Sequence, residues 1–206
     1  MSLPDVEGIG ATPLASARID GLEAVVTAHD AAPRPSEAAI LAHGRVVDAL
    51  AATNEAVVPA RFGAVHRDGA ALRAIVAERL SELEAALARV RGSVELGVRV
   101  LTSAAEPASA RSGAEYMHAR LGRRHEAERI AAELHAPLAA LARETTQNVA
   151  VTPRLLFSAA YLVPRGKVAA FRDEVERLQH AHPDLGLVCT GPWPPYSFAT
   201  AEAEVG

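Results

Sequence analysis

Between residues 69 and 91, Leu72, Ile75, Val76, Leu80, Leu83, Leu87 and Val90 recur every three to four positions. That is the spacing of one helical face, and Gly92 stands where a helix is commonly closed. The next segment, SVELGVRVL (93–101), alternates polar and apolar residues instead, as a half-buried strand does. The same two periods order the rest of the chain. LASARIDGLEAVVTA (14–28) predicts two short extended pieces around the turn dipeptide Asp20-Gly21. Ser36 is a good N-cap, and Ile40, Leu41, Val47 and Leu50 predict one buried face on the helix that follows, despite Gly44. The valine-rich EAVVPARFGAVH (55–66), interrupted by Pro59, predicts a strand pair or a kinked edge strand.

TSAAEPASARSG (102–113) offers little to pack and reads as a linker. Beyond it, residues 114–147 are helical in pattern, with Pro137 expected to break or bend them into two pieces. PRLLFSAAYLVPR (153–165) reads as a buried strand bounded by prolines, 167–182 as an amphipathic helix stopped by Pro183, and LGLVCTG (185–191) as the last strand. Strand, helix and strand over 154–190 form a βαβ unit whose strands need not be neighbours in the sheet. The class is α+β in two domains, 1–102 and 114–206, joined by a linker at 103–113.

A length of 206 residues accommodates two small domains. A net charge of −4 argues against a nucleic-acid binder, which carries a basic excess. The arginines of AERLSELEAALARVR (77–91) are interleaved with acids, the pattern of a solvated helix face. A single cysteine, Cys189, excludes an internal disulfide and a cysteine-based zinc site. Its apolar setting, LGLVC, suits a small buried hydrophobe better than a nucleophile. No run approaches the roughly 18 apolar residues of a membrane span, and no signal peptide opens the chain, so a cytoplasmic protein is expected. Met1-Ser2-Leu3 reads as an expression leader on a shortened natural start.

Searches for chemistry return little. There is no GxxxxGK[ST] loop, and Gly8-Ile9-Gly10 lacks a preceding strand and is followed by Pro13, so it reads as a turn. His118 and His125 stand about two helical turns apart, His180 and His182 point to different sides of a helix end, and no zinc motif surrounds them. Ser158 and Ser197 lack a nucleophile elbow. His43, Arg61 and Glu95 are ionisable groups flanked by apolar residues, which fits either a pocket with perturbed pKa values or a structural link of helix to sheet. No catalytic, metal-binding or cofactor-binding residue is assigned.

The one unusual stretch is TGPWPPYSF (190–198), where Trp193, Tyr196 and Phe198 fall within six positions of a chain with eight aromatic residues. Pro192, Pro194 and Pro195 fix φ and remove donors, so no helix or central strand runs through them. Gly191 supplies a sharp turn before this stiff segment. The result is a rigid extended arm that either plugs its own domain or docks into another protein. Packed against helix 167–182, Trp193 is the expected plug, with Tyr196 or Phe198 reachable by a partner.

In order and spacing these segments resemble the gas vesicle protein GvpF/GvpL family. The resemblance rests on His43 in LAHGRVVDAL; on Pro59, Arg61, Phe62 and Gly63 in VVPARFGAV; and on Glu95 in GSVELGVRV. It continues through Gly113 and Tyr116 in SGAEYMHAR and through AYLV with Tyr161. It ends on Gly191, Pro192, Trp193, Pro194, Pro195, Tyr196, Ser197 and Phe198 of GPWPPYSF. It spans roughly residues 8–200 and lacks the short tyrosine-bearing strand with which family members tend to begin. It implies a ferredoxin-like α+β N-terminal domain missing that first strand, and a modified ferredoxin-like C-terminal domain with extra helices. It also implies a non-enzymatic accessory protein of gas vesicle assembly. The implied partner is the hydrophobic rib-forming shell protein, with other accessory gas vesicle proteins beside it. The competing reading is a small-molecule-sensing module, because ferredoxin-like pairs often hold ligands.

Overall fold

Asp20 and Gly21, both at positive φ (47° and 89°), turn the chain back on itself and join β1 (Ala15–Ile19) to β2 (Leu22–Val26) as an antiparallel hairpin. Asn, Asp and Gly tolerate this left-handed region, which is why Asp-Gly marks such turns. The computed structural model describes residues 3–102, 112–148 and 154–199. They fall into two compact units: Met1–Gly92 with Pro194–Gly206, and Ser93–Trp193.

In the first unit Ser36 caps α1 (Glu37–Thr53), its hydroxyl accepting from the Ala39 N–H at 3.2 Å. The buried stripe of α1 is Ala39, Ala42, Val47 and Leu50; Ile40 and Leu41, expected on that face, are 52% and 55% exposed. Val47 and Leu50 hold the expected face, but nearer the start of the helix the small Ala39 and Ala42, not Ile40 and Leu41, line the packed side. Residues 55–66 form a loop, not the expected strands. Pro59 is buried, and Gly63 at φ 87° makes a turn in which the Ala64 N–H donates to the Arg61 carbonyl (3.1 Å). A proline and a left-handed glycine within five residues leave no run of extended backbone long enough to pair.

The helix expected over 69–91 is two helices. Asp68 caps α2 (Gly69–Glu78) through Oδ1, which accepts from the Ala70 and Ala71 N–H groups. The chain leaves helical geometry at Arg79 (φ −104°, ψ 15°) and resumes as α3 (Leu80–Val90). Apolar periodicity continues across Arg79 with neither Gly nor Pro to mark the break. Gly92 closes α3 at φ 67° and donates its N–H to the Glu55 carbonyl at 2.7 Å.

The second unit is β3 (Ser93–Thr102), α4 (Gly113–Ala139), β4 (Glu144–Asn148), β5 (Leu155–Pro164), α5 (Val168–Ala181) and β6 (Leu185–Trp193). Its sheet runs β4-β5-β3-β6 with every neighbouring pair antiparallel. β5 and β6 are therefore parallel and separated by β3, as the βαβ reading allowed. The β-α-β-β-α-β order is that of a ferredoxin-like unit. It takes β3 as its first strand, whereas the sequence reading ended the first domain on that segment. Among the described residues the first unit holds only the two-stranded β1-β2 sheet; of the two domains in which the ferredoxin-like order was expected, it stands complete in the C-terminal one, over 93–193.

Pro137 does not break α4, which runs as one helix to Ala139. It lies in the last turn, so it removes one N–H, the partner of the Glu133 carbonyl, and leaves almost no helix beyond it to disrupt. The chain then forms β4, which the helical reading of 114–147 missed. Of the linker expected at 103–113, residues 103–111 lie outside the described residues, and Ser112 and Gly113 cap and open α4. The core of this unit lies between one face of the sheet and the two helices. Leu96, Val98 and Val100 of β3 and Phe157, Tyr161 and Val163 of β5 meet Ile130, Leu134 and Leu138 of α4 and Phe171, Val175 and Leu178 of α5. Each helical set keeps a three-to-four spacing, the stripe of an amphipathic helix.

Candidate functional site

In the first unit the residues singled out by sequence gather around α1. His43 Nε2 donates to the Ala60 carbonyl at 3.1 Å, and its ring meets Phe62 edge-on at 5.9 Å. His43 thus ties the 55–66 loop to α1 through Ala60 and Phe62, while within the loop Pro59 is buried, Gly63 makes the turn and Arg61 is exposed to solvent. Glu95 lies in β3 of the other unit, paired with Leu162 and Trp193. The structural-link reading of His43 is the one this geometry supports.

The outer side of α1 is chemically distinct. Ile40, Leu41, Gly44 and Asp48 are spaced so that they share a helix face. Above Gly44 no atom lies within 4 Å of where a Cβ would stand, so the face carries an open notch beside two exposed aliphatic side chains. Tyr196, from the end of GPWPPYSF, is 43% exposed. Burial, then the nearby Asp48 carboxylate, pushes its phenol pKa up. Ile40 and Leu41 are therefore exposed aliphatics on the outer face of α1, and Tyr196 lies near Asp48, further along that helix.

The arm is divided between the two units. Pro194, Pro195 and Phe198 are buried in the first, held by a tight turn in which the Tyr196 N–H donates to the Pro194 carbonyl (2.8 Å) and the Phe198 N–H to the Pro195 carbonyl (3.1 Å). Ser197 is exposed. In the second unit Trp193 is the last residue of β6 and is 50% exposed. The plug is Phe198 with its prolines, not Trp193, and the reachable rings are Trp193 and Tyr196. Pro192 is tolerated inside β6 because that strand is an edge. Gly191 takes φ 104°, and a Cβ there would lie 2.7 Å from the Glu95 carbonyl oxygen. Its own carbonyl accepts from Arg172 Nη2 at 2.7 Å.

Inside the second unit Tyr161, marked in the sequence by the AYLV segment, belongs to a cluster whose other members sequence reading did not single out. The hydroxyl of buried Tyr161 and Nδ1 of His135 share a 2.9 Å hydrogen bond, and the rings of Phe157 and Phe171 adjoin them. Burial raises the Tyr161 pKa, so the phenol stays neutral, and burial lowers that of His135. A histidine whose folded pKa lies below its unfolded value of about 6.5 gives stability that is present above that value and lost as pH falls through it toward the folded pKa. Urea midpoints of the wild type are expected to drop between about pH 7.5 and 5.5, and His135→Gln is expected to flatten that drop. The only sequence signal for His135 is its place three and four residues from Leu138 and Ala131 on α4.

Gly113 opens α4, Tyr116 follows it with a side chain outside those described, and His118 and His125 are exposed on the same helix. His180 Nδ1 donates to the Glu176 carbonyl (2.8 Å), and His182 Nε2 lies 3.5 Å from Glu133 Oε1. Among the described residues no three His, Cys, Asp or Glu side chains are grouped to hold a metal ion. An open groove of about 560 Å³ borders the start of α1, lined among others by Glu7, Gly8, His29, Arg34 and Arg45. Its mixed charge and open form differ from the enclosed apolar sites that hold small ligands.

The family model "Gas vesicle synthesis protein GvpL/GvpF" matches residues 2–200. Gas vesicle protein F2 of Halobacterium salinarum is 31% identical over 202 residues, covering 94% of this chain and 84% of the relative. Gas vesicle protein L of a Streptomyces species is 31% identical over 192 residues, covering 80% of this chain and 70% of the relative. The crystal structure of GvpF from Anabaena superposes with a TM-score of 0.83 at 20% identity, covering 96% of this chain and 92% of that one. That of GvpF from Microcystis aeruginosa gives 0.77 at 19%, covering 96% and 94%.

Proposed function

The chain belongs to the gas vesicle synthesis protein GvpL/GvpF family, and from that premise we propose a non-enzymatic assembly protein that binds the hydrophobic rib-forming shell protein through the outer side of α1. Its accessory role in gas vesicles follows from the family. The observation that carries the finer reading is the placement of Ile40 and Leu41 in solvent on a helix whose packed side is Ala39, Ala42, Val47 and Leu50. A chain that leaves large aliphatics in water, with a half-exposed tyrosine near Asp48 of the same helix, has a surface suited to another apolar surface. A shell subunit exposes such surfaces before it polymerises. Other accessory gas vesicle proteins are further partners in this reading, and the site of action is the cytoplasm, at the growing vesicle. No described helix is long and apolar enough to cross a membrane.

The test is capture of purified rib protein by the immobilised chain, with Ile40→Ser, Leu41→Ser and Tyr196→Ala in parallel. These side chains are largely exposed, so each substitution is expected to change stability by only about 0.5 kcal/mol. Capture is expected to fall at least about tenfold in the combined variant, the scale of a single contact worth about 1.4 kcal/mol. Undiminished capture by a folded triple variant would move the binding surface away from α1.

A further inference from the structure

Two side chains of α5 cover part of the open edge of β6, and the groups that they leave uncovered are self-complementary. β6 ends the sheet, and its stretch Leu185–Gly191 carries no charged residue. Long uncharged edges are templates for another strand unless something blocks them. Along β6 the backbone groups of Gly186, Val188 and Thr190 turn toward β3, and those of Leu185, Leu187, Cys189 and Gly191 turn away. The hydrogen bonds agree. Gln179 Nε2 donates to the Leu185 carbonyl, Gln179 Oε1 accepts from the Leu187 N–H, and Arg172 Nη2 donates to the Gly191 carbonyl, each at 2.7 Å. Between these two clips the Leu187 carbonyl, both backbone groups of Cys189 and the Gly191 N–H face outward with no hydrogen bond among the described residues.

We propose that this edge pairs with the β6 edge of a second copy of the chain, antiparallel about a two-fold axis through Cys189. In that register the Cys189 N–H of each copy donates to the Cys189 carbonyl of the other. The Gly191 N–H of each donates to the Leu187 carbonyl of the other. The remaining bond that the register would form joins the Leu187 N–H to the Gly191 carbonyl of the other copy, and on pairing it replaces the bonds that Gln179 and Arg172 make to those two groups in the single chain. A two-fold interface requires one surface to complement itself, and the order of donors and acceptors along this edge does. No like charges meet along the strand. Pro192 at one end and Gln179 at the other keep the paired stretch short, so the dimer is a concentration-dependent one.

Sedimentation of the full chain over a concentration series tests this, with Cys189→Pro and Val188→Lys alongside. Proline at 189 removes an outward donor and leaves the bonds of Val188 and Thr190 to β3 in place, as edge prolines do. Lysine at the exposed position 188 adds the charge that natural edges use against pairing. The wild type is expected to dimerise, and each folded variant to do so at least about tenfold more weakly, a loss of about 1.4 kcal/mol. Mild oxidation adds a second readout. A hydrogen-bonded antiparallel pair sets its Cα atoms about 5.5 Å apart, inside disulfide range, and Cys189 is the chain's single cysteine. A reductant-reversible covalent dimer of the wild type supports the seam. A chain monomeric to its solubility limit, or a dimer that survives Val188→Lys with circular dichroism unchanged, overturns it.

Discussion

Gly191→Ala is expected to destabilise the second unit by several kcal/mol and to lower its melting temperature by about 5–15 °C. Two independent costs add. At φ 104° a side chain is strained wherever it points, at about 1–3 kcal/mol. The new Cβ would also lie 2.7 Å from the Glu95 carbonyl oxygen, a backbone atom of the central strand that cannot rotate away, and overpacking of this kind costs about 1–3 kcal/mol. Gly97→Ala is the informative comparison. It stands opposite Thr190, and its Cβ would meet only the Thr190 hydroxyl at 2.8 Å. A threonine side chain can change rotamer, so the effect is expected to be smaller and to be relieved by Thr190→Ala. The pairing of β6 with β3 shifts register here, between Glu95–Trp193 and Gly97–Thr190, and a Gly191→Ala protein as stable as the wild type would contradict the close approach of Gly191 to Glu95 at that shift.

Phe171→Ala is expected to cost about 3–5 kcal/mol, the usual range for emptying a buried aromatic site. Phe171 is fully buried in α5, and its ring lies 5.1 Å from that of Tyr161, an aromatic pair that adds about 0.5–1.5 kcal/mol beyond burial. Its loss opens a void beside the Tyr161–His135 hydrogen bond, in the one cluster where α4, α5 and β5 meet. Urea denaturation followed by far-ultraviolet circular dichroism measures it. A cost below about 1 kcal/mol, the scale of a surface substitution, would contradict the packing given for this core.

Sequence made the local signals legible and the partnerships less so. Ser36, Gly92 and Pro183 each end or begin a helix where local chemistry requires it, and the alternation of 93–101 became the central strand. The break at Arg79 was hidden because apolar spacing runs through it unchanged, and β4 because ETTQN is short and polar with a helical run before it. Which sheet takes β3 is decided by long-range pairing with β5 and β6, which no window of sequence contains. The helix-face reading of α1 held for Val47 and Leu50 and failed for Ile40 and Leu41. Large aliphatics dominate a hydrophobicity pattern, yet near the start of the helix Ala39 and Ala42 pack inside and Ile40 and Leu41 remain outside.

GPWPPYSF stood out as a rigid aromatic segment, and its stiffness follows from its prolines. Which ring goes in could not be read from it, because alternation has no meaning in a stretch where three prolines interrupt the backbone. Burial of Phe198 and exposure of Trp193 and Tyr196 are properties of the folded units. His135 is one of three histidines in a charged helix, and only the fold brings it to Tyr161.

The most direct measurement of the proposed function is light scattering of unfolded rib protein diluted into buffer with increasing amounts of this chain. Suppression of scattering near stoichiometric ratios, weakened by the Ile40→Ser, Leu41→Ser and Tyr196→Ala triple variant, is the predicted result. Rib protein that aggregates at the same rate and to the same extent, whatever the amount of folded chain present, would contradict it.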